Sequence, residues 1–199
     1  MKFKMQQLEK LRTKFVRDWV EPFLVAGFLA LCIIRPFIIE AYKIPSGSMR
    51  TTLLEGDLIF VNKFIYGARI PFTFIRLPAF RQPVRGEVIV FKYPENPSKN
   101  YIKRLVALSG ETVEIKNGTI YVNGNPLTES QFGERYYYNR GTYGAEGTKT
   151  VVPKDNFFVL GDNSGSSLDS RFWGFVPHKY LQGKAMVIWW PLNRIRIIK

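Results

Sequence analysis

The sequence predicts a mainly β protein led by a single apolar helix near its N-terminus. Three observations carry that expectation. No long helical period follows Ser48, runs of β-branched and aromatic residues of strand length recur from Asp57 to Trp190, and Asn117-Gly118 between two alternating runs is a strong short hairpin signal. Hydrophobic residues make up 46% of the 199, enough for a sizeable core.

Taken in order, residues 1–21 set Lys2, Lys4, Lys10, Arg12, Lys14 and Arg17 against Glu9, Asp18 and Glu21. Leu8, Leu11, Phe15 and Trp19 fall on one stripe, which predicts a basic amphipathic helix suited to an anionic leaflet. Pro22 fits a helix start, and Phe23 to Ile34 carries no charge. Pro22 to Ala41 supplies the roughly 20 residues a bilayer span needs. Arg35 would cost about 2.5–3.5 kcal/mol at mid-bilayer but can snorkel near the outer end. A cleaved signal peptide is the competing reading. The long basic leader and the absence of a clean small-x-small site favour an uncleaved anchor. The positive-inside rule then puts residues 1–21 in the cytoplasm and everything after Tyr42 on the far side. The expected division is 1–21 cytoplasmic segment, 22–41 transmembrane anchor, and 42–199 extracytoplasmic catalytic β domain.

Within that domain the strand-like runs are Asp57–Ile65, Gly86–Tyr93, Tyr101–Leu108, Thr112–Lys116, Thr119–Val122, Phe157–Leu160 and Lys184–Trp190. Val113 and Ile115 alternate with polar residues, which argues for one wet face and antiparallel pairing. Residues 128–150, rich in Gly and Tyr with weak periodicity, read as an inserted β excursion, a hairpin. Pro71 to Pro83 holds Phe72, Phe74, Ile75, Leu77 and Phe80 between prolines, and is either buried or dips into a membrane interface.

Charge and rare residues narrow the function. With 29 Lys+Arg against 16 Asp+Glu, the net charge of +13 favours an anionic partner, nucleic acid or an acidic membrane surface. The anchor assigns that charge to anionic phospholipid rather than nucleic acid. Cys32, the only cysteine, lies in the apolar segment, and His178 is the only histidine. No intrachain disulfide or His/Cys metal cluster can be built, and no metal or cofactor is expected.

Ser46-Gly47-Ser48-Met49, just past the anchor, offers a serine nucleophile held at a bilayer surface, although Ser-Gly-Ser is also ordinary turn chemistry. Such a serine needs a proton acceptor. The choices are His178, or a lysine kept neutral by burial. Lys103 is the candidate: alternation puts Tyr101, Lys103, Leu105 and Ala107 on one face, where Lys103 is the only charge. It is either the buried lysine of a central strand or an edge-strand lysine reaching water. Gly161 to Pro177 adds a serine-rich loop after an apolar strand; a hydroxyl there could fix the amine, and Asp169 with Arg171 could brace the loop.

Together these stretches resemble the bacterial type I signal peptidases, membrane-bound Ser/Lys proteases. The resemblance rests on Pro45-Ser46-Gly47-Ser48-Met49, Gly56-Asp57 to Lys63, Tyr101-Ile102-Lys103-Arg104 with Gly110-Glu111, and Gly161-Asp162-Asn163 through Asp169-Ser170-Arg171-Phe172-Trp173-Gly174. It implies Ser48 as nucleophile and Lys103 as general base. It further implies an oxyanion hole from the Ser46 hydroxyl and the Ser48 backbone N–H. Ser167 matches the serine that orients the lysine, Asp169 and Arg171 a supporting ion pair, and Asp162 the acid near Arg104. The implied reaction is removal of signal peptides from preproteins after Ala-x-Ala, at the outer, periplasmic side of the bacterial inner membrane. Two positions depart from the family. Thr51 stands where a proline is usual, and Ser164 where an arginine follows Gly-Asp-Asn. The rival readings are a membrane-tethered β-module binding anionic polymers and a self-cleaving Ser/Lys peptidase, which should carry a DNA-binding domain in place of the anchor.

Overall fold

The computed structural model describes residues 14–29, 39–67, 75–133 and 135–199. A π-helical turn, Val16–Val20, runs straight into helix α1 (Glu21–Leu29). Pro22 therefore sits inside a continuous helical run rather than at its start. Glu21 N–H donates to Val16 O across the wide turn, and proline, which has no N–H to give, follows where that wider turn has already loosened the ladder. Among the described residues no helix is long and apolar enough to cross a membrane. Residues 1–13 of the expected amphipathic segment and 30–38 of the expected span lie outside the described residues.

The far end of the expected span is corrected. Ile39–Lys43 is strand β1, paired antiparallel with β2 (Leu58–Asn62) in register from Ile39 opposite Asn62 to Lys43 opposite Leu58. Glu40 and Tyr42 point to the less exposed side, where Glu40 accepts from the Tyr42 hydroxyl at 2.7 Å and pairs with Lys63 at 2.5 Å. Alternation, hidden in sequence by the apolar run before it, sets that strand apart.

The remaining strands are β3 (Val88–Tyr93), β4 (Asn96–Ala107), β5 (Thr112–Lys116), β6 (Thr119–Val122), β7 (Asn125–Pro126), β8 (Thr150–Val151), β9 (Asn156–Leu160), β10 (Val176–Pro177), β11 (Leu181–Trp190) and β12 (Arg196–Ile197); a short helix, α2, spans Ser170–Trp173. Every pairing between these strands is antiparallel. The larger sheet runs β1-β2-β11-β3-β4-β9-β10, with β12 on β11, and the smaller β7-β6-β5-β8. The hairpin β5–β6 turns at Asn117 and Gly118, with φ of 49° and 77°. A two-residue I′ turn requires both to be positive.

The residues facing inward from the larger sheet form two clusters, one around Met49, Ile59, Val61, Val88 and Ala185, the other around Tyr66, Ile89, Phe91, Leu105 and Leu181. A third lies beneath the smaller sheet, on Ile115, Ile120, Phe132, Tyr137 and Phe158. Burial of each large apolar side chain contributes roughly 1.5–3 kcal/mol. A bulge in β4 sorts residues between them. Leu105 pairs with Val159 but Ala107 with Phe158, so Ala107 leaves Leu105's side and joins Val106 in the third cluster.

Two sequence expectations change. Residues 128–149 contribute no strand among those described, and β8 begins only at Thr150. Of the apolar loop, Ile75 and Phe80 are 61% and 80% exposed, while residues 71–74 lie outside the described residues.

Candidate active site

Ser48 sits in a single 3-10 turn, Gly47–Met49, that follows β1 after Ile44, Pro45 and Ser46. Buried Met49 and Ile44 anchor the turn in the core. Asn163 ties it down from outside, donating its N–H to Ser48 O at 3.0 Å and its side-chain amide to Gly47 O at 2.9 Å. The Ser48 N–H is among the first amides of the turn, which find no partner inside a helical turn. Ser46 is extended and exposed, and its hydroxyl caps nothing.

Lys103 lies on β4 opposite Ile89 of β3, one residue before the ladder to β9 begins, and its burial excludes the reading of a lysine that reaches water. It is 4% exposed. Its Nζ donates to Ser48 Oγ at 2.6 Å and to Ile102 O at 3.0 Å. Burial holds the amine down to about 8 from its ordinary 10.5; Asp169 and Asp162 pull it upward, and Arg171 opposes them. β9 pairs with β4 only from Arg104 onward, so toward Asn100 that edge of β4 carries no ladder among the described residues. There a cavity of about 380 Å³ opens, lined by Pro45, Ser46, Ser48, Tyr101, Lys103 and Leu168 among others.

Two buried ion pairs stand behind the pair. Arg104 grips Asp162 with two donors, at 2.8 and 2.6 Å, and Thr52 adds its hydroxyl to the same carboxylate. Arg171 grips Asp169 at 2.8 and 2.9 Å, with both residues fully buried. Asp169 also accepts from Gly161 N–H at 3.0 Å and caps α2 through Arg171 N–H. Each of these carboxylates is thus bonded from several sides inside the fold. Gly161 is required by close approach: a Cβ there would run into the Ser167 side chain and the Ser48 carbonyl.

Ser167 lies in this contact, 6% exposed, but its hydroxyl has no hydrogen-bond partner among the described residues. The amine expected to lean on it bonds to Ile102 O instead. His178 lies elsewhere, its ring 5.4 Å from Phe157 in a different cavity.

A match to the family "Signal peptidase, peptidase S26" extends over residues 16–190. The chain is 36% identical to a signal peptidase I of Pseudomonas aeruginosa over 92% of its own length and 77% of that protein's. It is likewise 36% identical to a signal peptidase I of Aquifex aeolicus, over 86% and 82%. To one of Leptolyngbya laminosa it is 41% identical, over 81% and 74%. The chain belongs to the signal peptidase family. It is accordingly a serine peptidase, a hydrolase acting on signal peptides.

Three features of this family member escape sequence reasoning. Asn163 appears there only as part of a motif, yet it holds two carbonyls of the Ser48 turn. Ser164 accepts from Arg171 Nη1 at 2.7 Å and from Tyr138 N–H at 2.9 Å. The excursion wraps Arg171. Tyr138 O accepts from Arg171 Nη1 at 2.9 Å, Tyr143 N–H donates to Arg171 O at 2.9 Å, and Gly144 leaves room for the arginine's stem. Its backbone groups bond to that side chain and loop in place of a neighbouring strand, so no hairpin forms.

Proposed function

We propose that this chain is a membrane-anchored Ser/Lys endopeptidase that removes signal peptides from translocated preproteins after small residues. The observation that carries the reading is the 2.6 Å contact between a buried, depressed amine and a serine hydroxyl beside an open strand edge. Ser48 is the nucleophile and Lys103 its general base. At pH 7 an amine with a midpoint near 8 is neutral in about one molecule in ten, against roughly one in 3,000 at 10.5. Ser48 Oγ attacks the scissile carbonyl as Lys103 Nζ takes its proton. The resulting oxyanion is met by the Ser48 N–H at the start of the turn and by the Ser46 hydroxyl, which caps nothing, each donor being worth roughly 3–4 kcal/mol. The protonated amine then gives its proton to the leaving nitrogen, and Lys103 activates the water that releases the acyl-enzyme.

The substrate lies as an added strand along the open edge of β4, its small side chains in the cavity lined by Leu168 and Tyr101. Asp162 with Arg104, and Asp169 with Arg171, hold the two sides of the site in place, and Ser167 packs under the Ser48 turn. The anchor occupies the apolar segment from Pro22, with residues 1–21 in the cytoplasm. The β domain, from Ile39 onward, lies on the outer side of the bacterial inner membrane. Preprotein cleavage in detergent tests the assignment. Wild type and His178→Ala should cut, while Ser48→Ala and Lys103→Ala should lose activity by several orders of magnitude. Retained cleavage by either of the latter, or loss with His178→Ala alone, overturns it.

A further inference from the structure

A second cavity, about 580 Å³, lies at the turn end of the β3–β4 hairpin, where Lys92 and Pro97 line it. Its titratable lining is one-sided: Arg76, Lys92, His178 and Lys179, with Tyr180, against the single carboxylate of Asp155. The Arg76 guanidinium is held by the Leu181 carbonyl at 2.5 Å and the Tyr66 carbonyl at 3.4 Å, so one cation is fixed before any ligand arrives. Lys179 Nζ rests 5.5 Å from the centre of the Tyr180 ring. Neither Lys92 nor Lys179 has an ion-pair partner among the described residues. Cations that outnumber the one carboxylate in a concavity create a positive potential that an anion relieves.

The surroundings say which anion. The segment that carries Arg76 also carries Ile75 and Phe80, and Phe80 N–H bonds to Ile65 O beside Phe64, itself 48% exposed. That turn follows β2 immediately, and β2 ends at Asn62 opposite Ile39, where the chain arrives from the expected anchor. A basic cavity bordered by exposed apolar side chains at that end has the make-up of a headgroup site at an acidic leaflet.

We propose that this cavity binds the phosphate of an anionic phospholipid headgroup, held by Arg76, Lys92 and Lys179. The inference rests on the membrane-anchored reading above. An occupant would lie beside His178, whose imidazolium is disfavoured by burial first and by the Arg76 charge second, with Asp155 opposing. A bound phosphate adds negative charge there and favours the imidazolium, so occupancy raises the His178 midpoint. Because the chain has one histidine, its imidazole resonance is unambiguous.

The test titrates that resonance in the full-length, tag-free protein in lipid nanodiscs. One set holds phosphatidylcholine alone, the other phosphatidylcholine with phosphatidylglycerol. The midpoint should rise in the anionic discs, and the rise should be lost or much reduced in a Lys92→Ala/Lys179→Ala variant, which experiences the same surface potential. Preprotein cleavage by that variant in detergent should be unchanged. Equal rises in wild type and variant would mean surface potential alone and overturn the site. A rise with inorganic phosphate in phosphatidylcholine discs matching that with phosphatidylglycerol would make it a free-phosphate site and overturn the lipid assignment. Failure of the chain to enter either disc would overturn the anchored reading itself, an outcome distinct from entry without a shift.

Discussion

Ser164 Oγ lies 2.7 Å from Arg171 Nη1 and 2.9 Å from Tyr138 N–H, so one hydroxyl joins the catalytic loop to the excursion around it. Ser164→Ala would leave the Tyr138 amide without this acceptor and buried Arg171 with one partner fewer, at a cost of roughly 1–3 kcal/mol. Arg171→Met, which strands the Asp169 carboxylate, should cost about 3–5 kcal/mol. Urea unfolding of the two variants checks both the values and their order; a near-neutral Arg171→Met would remove the bracing role.

The log of kcat/KM should climb by about one unit per pH unit below a midpoint near 8 and level off above it, since only the neutral amine accepts the proton. A stopped assay on a signal-peptide substrate between pH 6 and 10 measures this limb. A midpoint near that of His178, which is held below the ordinary 6.5, would contradict Lys103 as base.

The same burial has a cost in stability. With the amine at about 8 in the fold and 10.5 in the unfolded chain, the unfolded state binds more protons between those pH values, and stability rises through that window. Below pH 8 the penalty is fully present, on the order of 3 kcal/mol. Lys103→Met should therefore be inactive yet more stable than wild type at pH 6, with the gap closing between pH 8 and 10.5. Equal unfolding midpoints at pH 6 would refute the penalty.

Thr51 has φ of 83°, a region that β-branched residues avoid and that proline, fixed near −65°, cannot reach. Thr51→Gly should stabilise the protein by up to about 1 kcal/mol. Thr51→Pro should destabilise it by more than that. Thermal unfolding of the pair decides; a stabilised proline variant would show that the backbone turns differently here.

Asn163→Ala removes the side-chain bond to Gly47 O but leaves the backbone bond to Ser48 O. Only positioning is disturbed, so kcat should fall roughly 10- to 100-fold with KM and the unfolding midpoint nearly unchanged. An equal loss in stability and rate would make Asn163 merely structural.

The interior strands were legible because each run is apolar, β-branched and bounded by turn residues. Asn117-Gly118 could be placed to the residue. Ser48, Lys103 and the two ion pairs were legible as motifs, though alternation alone left Lys103 open between edge and centre. Its burial settled that, and burial is the work of segments distant in sequence. What stayed hidden depends on partners distant in the chain. The two-residue strands β7, β8, β10 and β12 carry no period of their own, and β1 was masked by the apolar run leading into it. The excursion's order comes from Arg171, which no local pattern within 128–150 announces.

Strand β1 has a mechanical consequence. Its five residues are laddered to β2, and only Ile44, Pro45 and Ser46 separate it from the Ser48 turn. At about 3.3 Å per residue along a strand, a pull or tilt applied at Ile39 is carried by the ladder and by the Ile44 bonds to Asp57 and Gly56, and reaches Ser48 across Pro45 and Ser46. The distance from Ile39 to the Ser48 hydroxyl is thus set by one ladder and three connecting residues.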